Sequence, residues 1–342
     1  MDKLLKHYYN VRDPGSFGGI GRLYRQLKQY GLTYDKVKEL LGTQNAYTIH
    51  KDRRIRFPRN RVIAYSKDYQ WMADLVFLPK LAKDNDGYRY IMVVIDVFSK
   101  YVWVRPTKTK QEQEMKRAWD SIFDEGRIPI HLQTDRGGEF DNEYMRDYFD
   151  GKGINYFTTQ NSSFKCSVVE RVNRTIKSRM FRYFTAKNTH RYVDIIHKLI
   201  DGYNNSYHRS IKMTPKQACE IEPSIVFNNL YGRLPRQRKP DLQEGDTVRM
   251  ALDKSPFEKT YESTFSDNVM NVKGTHQAQR LPLYSIKEKD GPLHKRRYYK
   301  QELQKVADPE IEEILDTRRR NRKQEYLVKY TNQPTTAWVT KI

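Results

Sequence analysis

Three acids are spaced as a hard-cation site requires. Asp74 lies inside the apolar run Tyr69–Phe77, flanked by Trp71, Met72, Leu75 and Val76. A carboxylate there is costly unless it is paired or bound to a metal. Asp135 directly follows the strand candidate Ile130–Thr134, and the Gly137 and Gly138 behind it leave room for a ligand to approach the backbone. Glu170 opens the run Val168–Lys177. Mg2+ or Mn2+ takes oxygen ligands of this kind. Two such ions about 4 Å apart activate a water or hydroxyl and stabilise the leaving oxygen at phosphorus. Phosphoryl transfer then needs little beyond positioning and charge. Each acid alone could be a salt-bridge partner or a cap; the three together point to a nuclease or a phosphodiester transferase.

The segments around these acids must position them. Val168–Lys177 reads as a helix. At about 100° per residue, Glu170, Arg174 and Lys177 fall within roughly 60° of one another, while Val168, Val169, Val172 and Ile176 face a core. One helix face therefore offers a ligand acid followed by two bases that can grip phosphates. Asp96 competes with Asp74 for the site, but Ser99 and Lys100 mark it as the start of a turn. Glu139 is expected to face outward, and His131 and His190 to be structural.

The 342 residues carry a formal net charge of +21, which points to a polyanionic partner. No apolar run approaches the ~18 residues of a membrane span, and the N-terminus shows no apolar signal region. Nucleic acid in the cytosol or nucleus is the expected partner. Cys166 and Cys219 cannot form a disulfide framework or a four-ligand zinc site, so a reducing compartment fits and no zinc is expected.

The first 60 residues carry 13 Lys or Arg against 5 Asp or Glu. Patterns over Ile20–Tyr30 and Tyr34–Leu41, with Thr33 as N-cap, predict a helical N-terminal DNA-binding region over 1–65. Its basic tail, Lys51–Arg61, contains Arg53, Arg54 and Arg56 and suits an arm that tracks a phosphate backbone. Strands at Tyr69–Phe77, Tyr90–Val97, Tyr101–Arg105, Ile130–Thr134 and Ile154–Phe157 alternate with helices at Lys110–Glu125, Asn142–Phe149, from Glu170 onward and at Tyr192–Tyr207. This order predicts an α/β core over 66–220 with a mixed five-strand sheet. A Pro-containing linker over 221–244 follows. Strand candidates Thr247–Ala251, Leu283–Lys287 and His294–Tyr299, with a turn at Asp290-Gly291, predict a small barrel over 245–306. The tail, 307–342, holds an Ile311/Ile314/Leu315 cluster and a strand over Glu325–Tyr330.

Trp71–Asp74, Val94–Lys100, Thr134–Phe140 and Val169–Thr175 resemble the D,D(35)E core of retroviral-type integrases, an RNase H-like fold. Asn45–His50, Arg182–Tyr192 and Gly202–Ile211 are similar to integrases of Maverick/Polinton DNA transposons. The resemblance implies that Asp74, Asp135 and Glu170 are a catalytic, metal-binding triad holding two ions, and that Arg174 and Lys177 contact terminal DNA. In this chain 34 residues separate Asp135 from Glu170, one fewer than the family pattern. The resemblance further implies an SH3-like barrel over 245–306 and a partial chromodomain-like segment over 307–342. Chromodomains read methyl-lysine on chromatin through an aromatic cage. Of the aligned cage positions here, Pro309 and Gln333 are not aromatic and Tyr330 is; Trp338 aligns with the core.

The expectation is a nuclear DNA integrase that trims transposon ends and joins the freed 3′-hydroxyl to target DNA. Its partners would be double-stranded DNA and further copies of itself, as a dimer or tetramer. The alternatives are a host-adopted or decayed DNA-binding protein without catalysis, and an RNase H-like nuclease that cuts without joining.

Overall fold

The computed structural model describes residues 2–54, 56–158, 167–253, 258, 261–277, 279–288, 291–306, 311–320, 323–330 and 336–339. The loop 161–165, Cys166, Pro309, Asp290 and Gln333 lie outside them, as do the side chains of Tyr330 and Trp338. The chain divides into two compact units, Met1–Asn60 with Arg236–Ile342, and Arg61–Pro235. No described helix is long and apolar enough to cross a membrane.

The first unit begins with α1 (Asp2–Tyr9), α2 (Ile20–Leu27), α3 (Tyr34–Gly42) and α4 (Asn45–Thr48). Tyr8, Leu23, Leu27, Val37 and Leu41 form their shared core. Gly31, at φ 75°, makes the left-handed turn between α2 and α3 that a side chain would resist. Thr33 caps α3 by accepting a hydrogen bond from Lys36 N at 3.3 Å.

The second unit contains β1 (Gln70–Phe77), β2 (Tyr90–Asp96), β3 (Val102–Thr107), α5 (Glu112–Phe123), β4 (His131–Thr134), α6 (Glu143–Gly151), β5 (Asn155–Thr158), α7 (Ser167–Lys187), α8 (Ile196–Asn204), α9 (Pro215–Glu220) and α10 (Pro223–Tyr231). The strands form one sheet in the order β3-β2-β1-β4-β5. β1, β2 and β3 are antiparallel, whereas β4 and β5 run parallel to β1. Both faces of β1 are covered. Trp71 and Ala73 join a cluster with α5 and α6, including Met115, Trp119 and Phe149. Met72 and Val76 join the opposite cluster with α7 and α8, including Val172, Ile176 and Ile200. A strand packed on both faces reads as a largely apolar run, as Tyr69–Phe77 does apart from Gln70 and Asp74.

The helix Pro223–Tyr231 stands where a linker over 221–244 was expected. Pro223 occupies its first turn, where a missing N–H costs nothing, and Val226 is buried in the α7 cluster. A proline that begins a helix and one that breaks a linker are indistinguishable without knowing whether an apolar partner is nearby.

After α10 the chain returns to the first unit through β6 (Thr247–Met250), β7 (Met270–His276), β8 (Leu283–Glu288) and β9 (Leu303–Lys305), an antiparallel sheet ordered β8-β7-β6-β9. β7 has no counterpart among the strand candidates, because a register shift between Val272 and Gly274 breaks its alternation. Conversely, His294–Tyr299 forms only an isolated bridge, Tyr284 to Tyr298, and β9 closes the sheet instead. The segment before Arg61 is strapped along this sheet. Asn60 Nδ2 donates to the Leu281 carbonyl at 2.8 Å, Leu281 N donates to Asn60 Oδ1 at 2.9 Å, and the Phe57 ring meets Tyr299 at 5.6 Å. Arg249, 2% exposed, donates to Thr48 Oγ1, Asn45 Oδ1 and the carbonyls of Ser266 and Asp267, so it ties α4 into the same unit. The tail forms an antiparallel sheet of β10 (Ile311–Arg320), β11 (Lys323–Tyr330) and β12 (Thr336–Val339).

Candidate active site

Asp74 is placed by strand alternation. It lies between Met72 and Val76 on the β1 face that α7 covers, where an aliphatic side chain would be the ordinary occupant. Its Oδ1 accepts from Leu75 N at 2.9 Å and its Oδ2 accepts from Asn173 Nδ2 of α7 at 2.6 Å. Burial raises its pKa; the nearby Asp135 carboxylate raises it further, the Leu75 N–H pulls it back, and Glu170 and Glu139 add smaller upward contributions. Asp135, Glu170 and Glu139 are thus the acidic neighbours that Asp74 senses.

Asp135 arrives through the parallel pairing of β1 with β4. Trp71 lies opposite Leu132 and Met72 opposite Gln133. Continuing that register brings Asp135 level with Asp74 at the strand end. Asp135 is exposed, and its Oδ1 accepts from Gly137 N at 3.1 Å. A Cβ on Gly137 would stand 2.5 Å from Glu139 Oε1, so the glycine lets the Glu139 side chain fold over the loop. Glu139 is half-buried and adds a minor upward contribution to the Asp74 pKa. A cleft beside this loop is lined by Gly138, Glu139 and Lys110–Gln113.

Glu170 stands in the first turn of α7, exposed, with Arg174 and Lys177 exposed after it and Val169, Val172 and Ile176 buried behind. Asn173 shares the buried side and is 7% exposed; its Oδ1 has no hydrogen-bond partner among the described residues. Sequence reasoning missed Asn173. The available signal was an amide within the Val169/Val172/Ile176 stripe, three residues after the first-turn acid.

Asp96 is accounted for structurally. It is fully buried and accepts from Phe98 N at 3.1 Å, Ser99 Oγ at 2.5 Å and Arg127 Nη2 at 3.0 Å. His131 packs edge-on against Tyr69 and His190 against Phe184. Of the basic-arm residues, Arg53 donates to the Leu252 carbonyl and lies 3.7 Å from Asp253, while Arg54 and Arg56 are exposed.

The chemistry of the site suits a hard divalent cation: the donors are all carboxylates, and Asp74 is held half-buried among like charges. The shell is not closed as it stands. Among the described residues, no three His, Cys, Asp or Glu side chains converge on one metal position.

Residues 64–163 match the integrase core domain. Asp74 and Asp135 lie inside the matched segment, and Glu170 lies just beyond it. The chain is 33% identical over 195 residues to an uncharacterized transposon-derived protein of Caenorhabditis elegans, covering 56% of this chain and 65% of that one. It is 28% identical over 170 residues to the Pro-Pol polyprotein of simian foamy virus type 3, covering 49% of this chain and 15% of that one. It thus spans less than two thirds of the length of either relative. A chain of the simian T-cell lymphotropic virus intasome complex matches 85% of this chain and 100% of itself, with a TM-score of 0.63 at 14% identity. That likeness is one of fold alone.

Proposed function

We propose that this protein is a DNA integrase, of the Maverick/Polinton transposon kind, that processes transposon 3′ ends and joins them to target DNA. The observation that carries this reading is the β1–β4 register that brings Asp135 level with Asp74, with Asp74 bonded to Asn173 of α7, the helix that exposes Glu170, Arg174 and Lys177. Asp74, Asp135 and Glu170 would hold two Mg2+ or Mn2+ ions, which when bound activate the attacking oxygen and stabilise the leaving one. Asn173 fixes the Asp74 carboxylate, so that the oxygen not held by Leu75 N is oriented before a substrate arrives. Arg174 and Lys177, one and two turns beyond Glu170, grip phosphates of the same strand. Exposed Arg54 and Arg56 offer further phosphate contacts in the first unit.

The four-stranded β6–β9 sheet is read as an SH3-like domain and the β10–β12 sheet as a chromodomain-like tail. Bringing two element ends together calls for a dimer or tetramer, and a chromosomal target calls for the nucleus. The deciding experiment is a strand-transfer assay with a labelled duplex carrying the terminal sequence of the source element, a plasmid target, and Mg2+ or Mn2+. Joined product that disappears with Asp74→Asn and with Glu170→Gln, while both variants still bind DNA, is the expected result. Binding without joining in the wild type would favour a DNA-binding protein without catalysis; cutting without joining would favour a nuclease.

A further inference from the structure

A second cationic cluster lies on the flank of α7 away from Asn173. Arg171 is exposed there, about 100° around the helix from Glu170. The turn after β2 supplies Lys100, half-buried and in the left-handed conformation at φ 63°, with Nζ donating to the Val97 carbonyl at 2.6 Å. The loop after α8 supplies His208, whose Nδ1 lies 2.9 Å from Ser210 Oγ. Three contacts hold these pieces together. Asn204, at the end of α8, accepts from Val102 N at 3.0 Å and donates to the Val102 carbonyl at 2.9 Å, which fixes α8 against the β2–β3 turn. Val97, Phe98, Val172, Tyr203 and Ile211 belong to one buried cluster, which brings α7 to the same place. His208 N donates to the Met213 carbonyl at 2.9 Å, which closes the loop.

The groups sense one another. Burial pulls the Lys100 amine down to about 8, with Asp96 opposing and Arg171 adding to the fall. Burial also lowers the His208 pKa, and Lys100 and Arg171 lower it further. Asp96 is the carboxylate facing Lys100, and it is already engaged by Arg127 and Ser99. The Tyr203 ring meets His208 edge-on at 6.5 Å.

We propose that Lys100, Arg171, His208 and Ser210 form a phosphodiester-binding site, separate from the carboxylate site, that holds a nucleic-acid backbone phosphate against the flank of α7. The cluster concentrates positive charge with hydroxyl and imidazole donors beside it, which an anion would complete. The inference rests on the DNA reading only for the source of the phosphate.

Two measurements on the full chain test it. The first is the duplex affinity of wild type and Arg171→Gln across a salt series. Arg171 is exposed, so its loss leaves the fold intact. The expected result is about a tenfold weaker affinity and a log–log salt slope smaller by about one. The second is the His208 titration followed by NMR in wild type, with inorganic phosphate replacing chloride at equal ionic strength. A bound anion offsets Lys100 and Arg171, so the midpoint should move upward. An unchanged salt slope in Arg171→Gln, or an unmoved His208 midpoint in phosphate, overturns the site. Failure of the wild type to bind any duplex overturns the DNA reading instead, and an upward His208 shift in that case would still support an anion site.

Discussion

Asn173 Nδ2 reaches Asp74 Oδ2 at 2.6 Å, joining the α7 helix to the β1 strand through the side chain at the centre of the candidate site. The bond orients a carboxylate whose pKa burial and its acidic neighbours raise. Replacing the amide with an aliphatic group of similar size removes this orientation without emptying the space. Asn173→Leu should lower strand transfer by about 10- to 100-fold, the usual cost of losing a group that orients a metal ligand. DNA affinity should be unchanged. Single-turnover kinetics beside a binding isotherm would separate the two, and a variant with full activity would remove Asn173 from the site.

Asp74→Asn should stabilise the fold while abolishing catalysis. The Asp74 pKa is raised in the folded chain, so the native state disfavours the ionised form. Ionisation therefore costs stability above the folded pKa, and the cost vanishes below the unfolded one. An amide removes it at neutral pH. A gain of about 1 to 3 °C in melting temperature is expected without divalent cation. Added Mg2+ or Mn2+ should raise the wild-type melting temperature and leave the variant unmoved. A variant that melts lower than wild type at neutral pH would contradict this.

The same shift sets an acid limb for activity. A ligand carboxylate must be ionised, so activity should fall as pH drops through the Asp74 pKa, which burial and the neighbouring acids raise from its ordinary value. DNA binding should persist there. A pH–rate profile that stays flat down to the ordinary range would refute it.

Arg127 should be the costliest single charge to remove from the second unit. Its guanidinium meets Asp68 at 2.5 Å and the fully buried Asp96 at 3.0 Å, and it lies 4.7 Å from the Trp103 ring centre. Arg127→Met leaves Asp96 buried without its cation, at a cost of about 3 to 5 kcal/mol. Denaturant unfolding followed by tryptophan fluorescence should register the loss through Trp71 and Trp103, and a change below about 1 kcal/mol would show that Ser99 and the backbone hold Asp96 unaided.

Arg249 should couple the N-terminal helices to the β6–β9 sheet. Its buried guanidinium bonds α4 through Thr48 and Asn45, and the sheet unit through the Ser266 and Asp267 carbonyls. Arg249→Met leaves those acceptors without a donor, costing on the order of 2 kcal/mol. Hydrogen exchange should accelerate in residues 45–48 and in β6 together. Acceleration in one without the other would break the coupling.

The sequence by itself determined the local pieces. Largely apolar stretches marked β1 and β2, and the first-turn acid with its trailing bases marked the exposed face of α7, because these patterns arise from backbone geometry within a few residues. Thr33 as a cap and the competing role of Asp96 were legible for the same reason. Tertiary structure alone decided what depended on partners distant in the chain. The parallel pairing of β1 with β4 brings Asp135 level with Asp74, and no local pattern encodes which strands become neighbours. Asn173 gained its role only when α7 packed over Asp74. Residues 223–231 became a helix once Val226 had a core to enter, and the basic segment before Arg61 became a strap once Tyr299 and Leu281 lay beneath it. A side chain's type limits what it can bond to, but the partner it meets is set by packing across the whole unit.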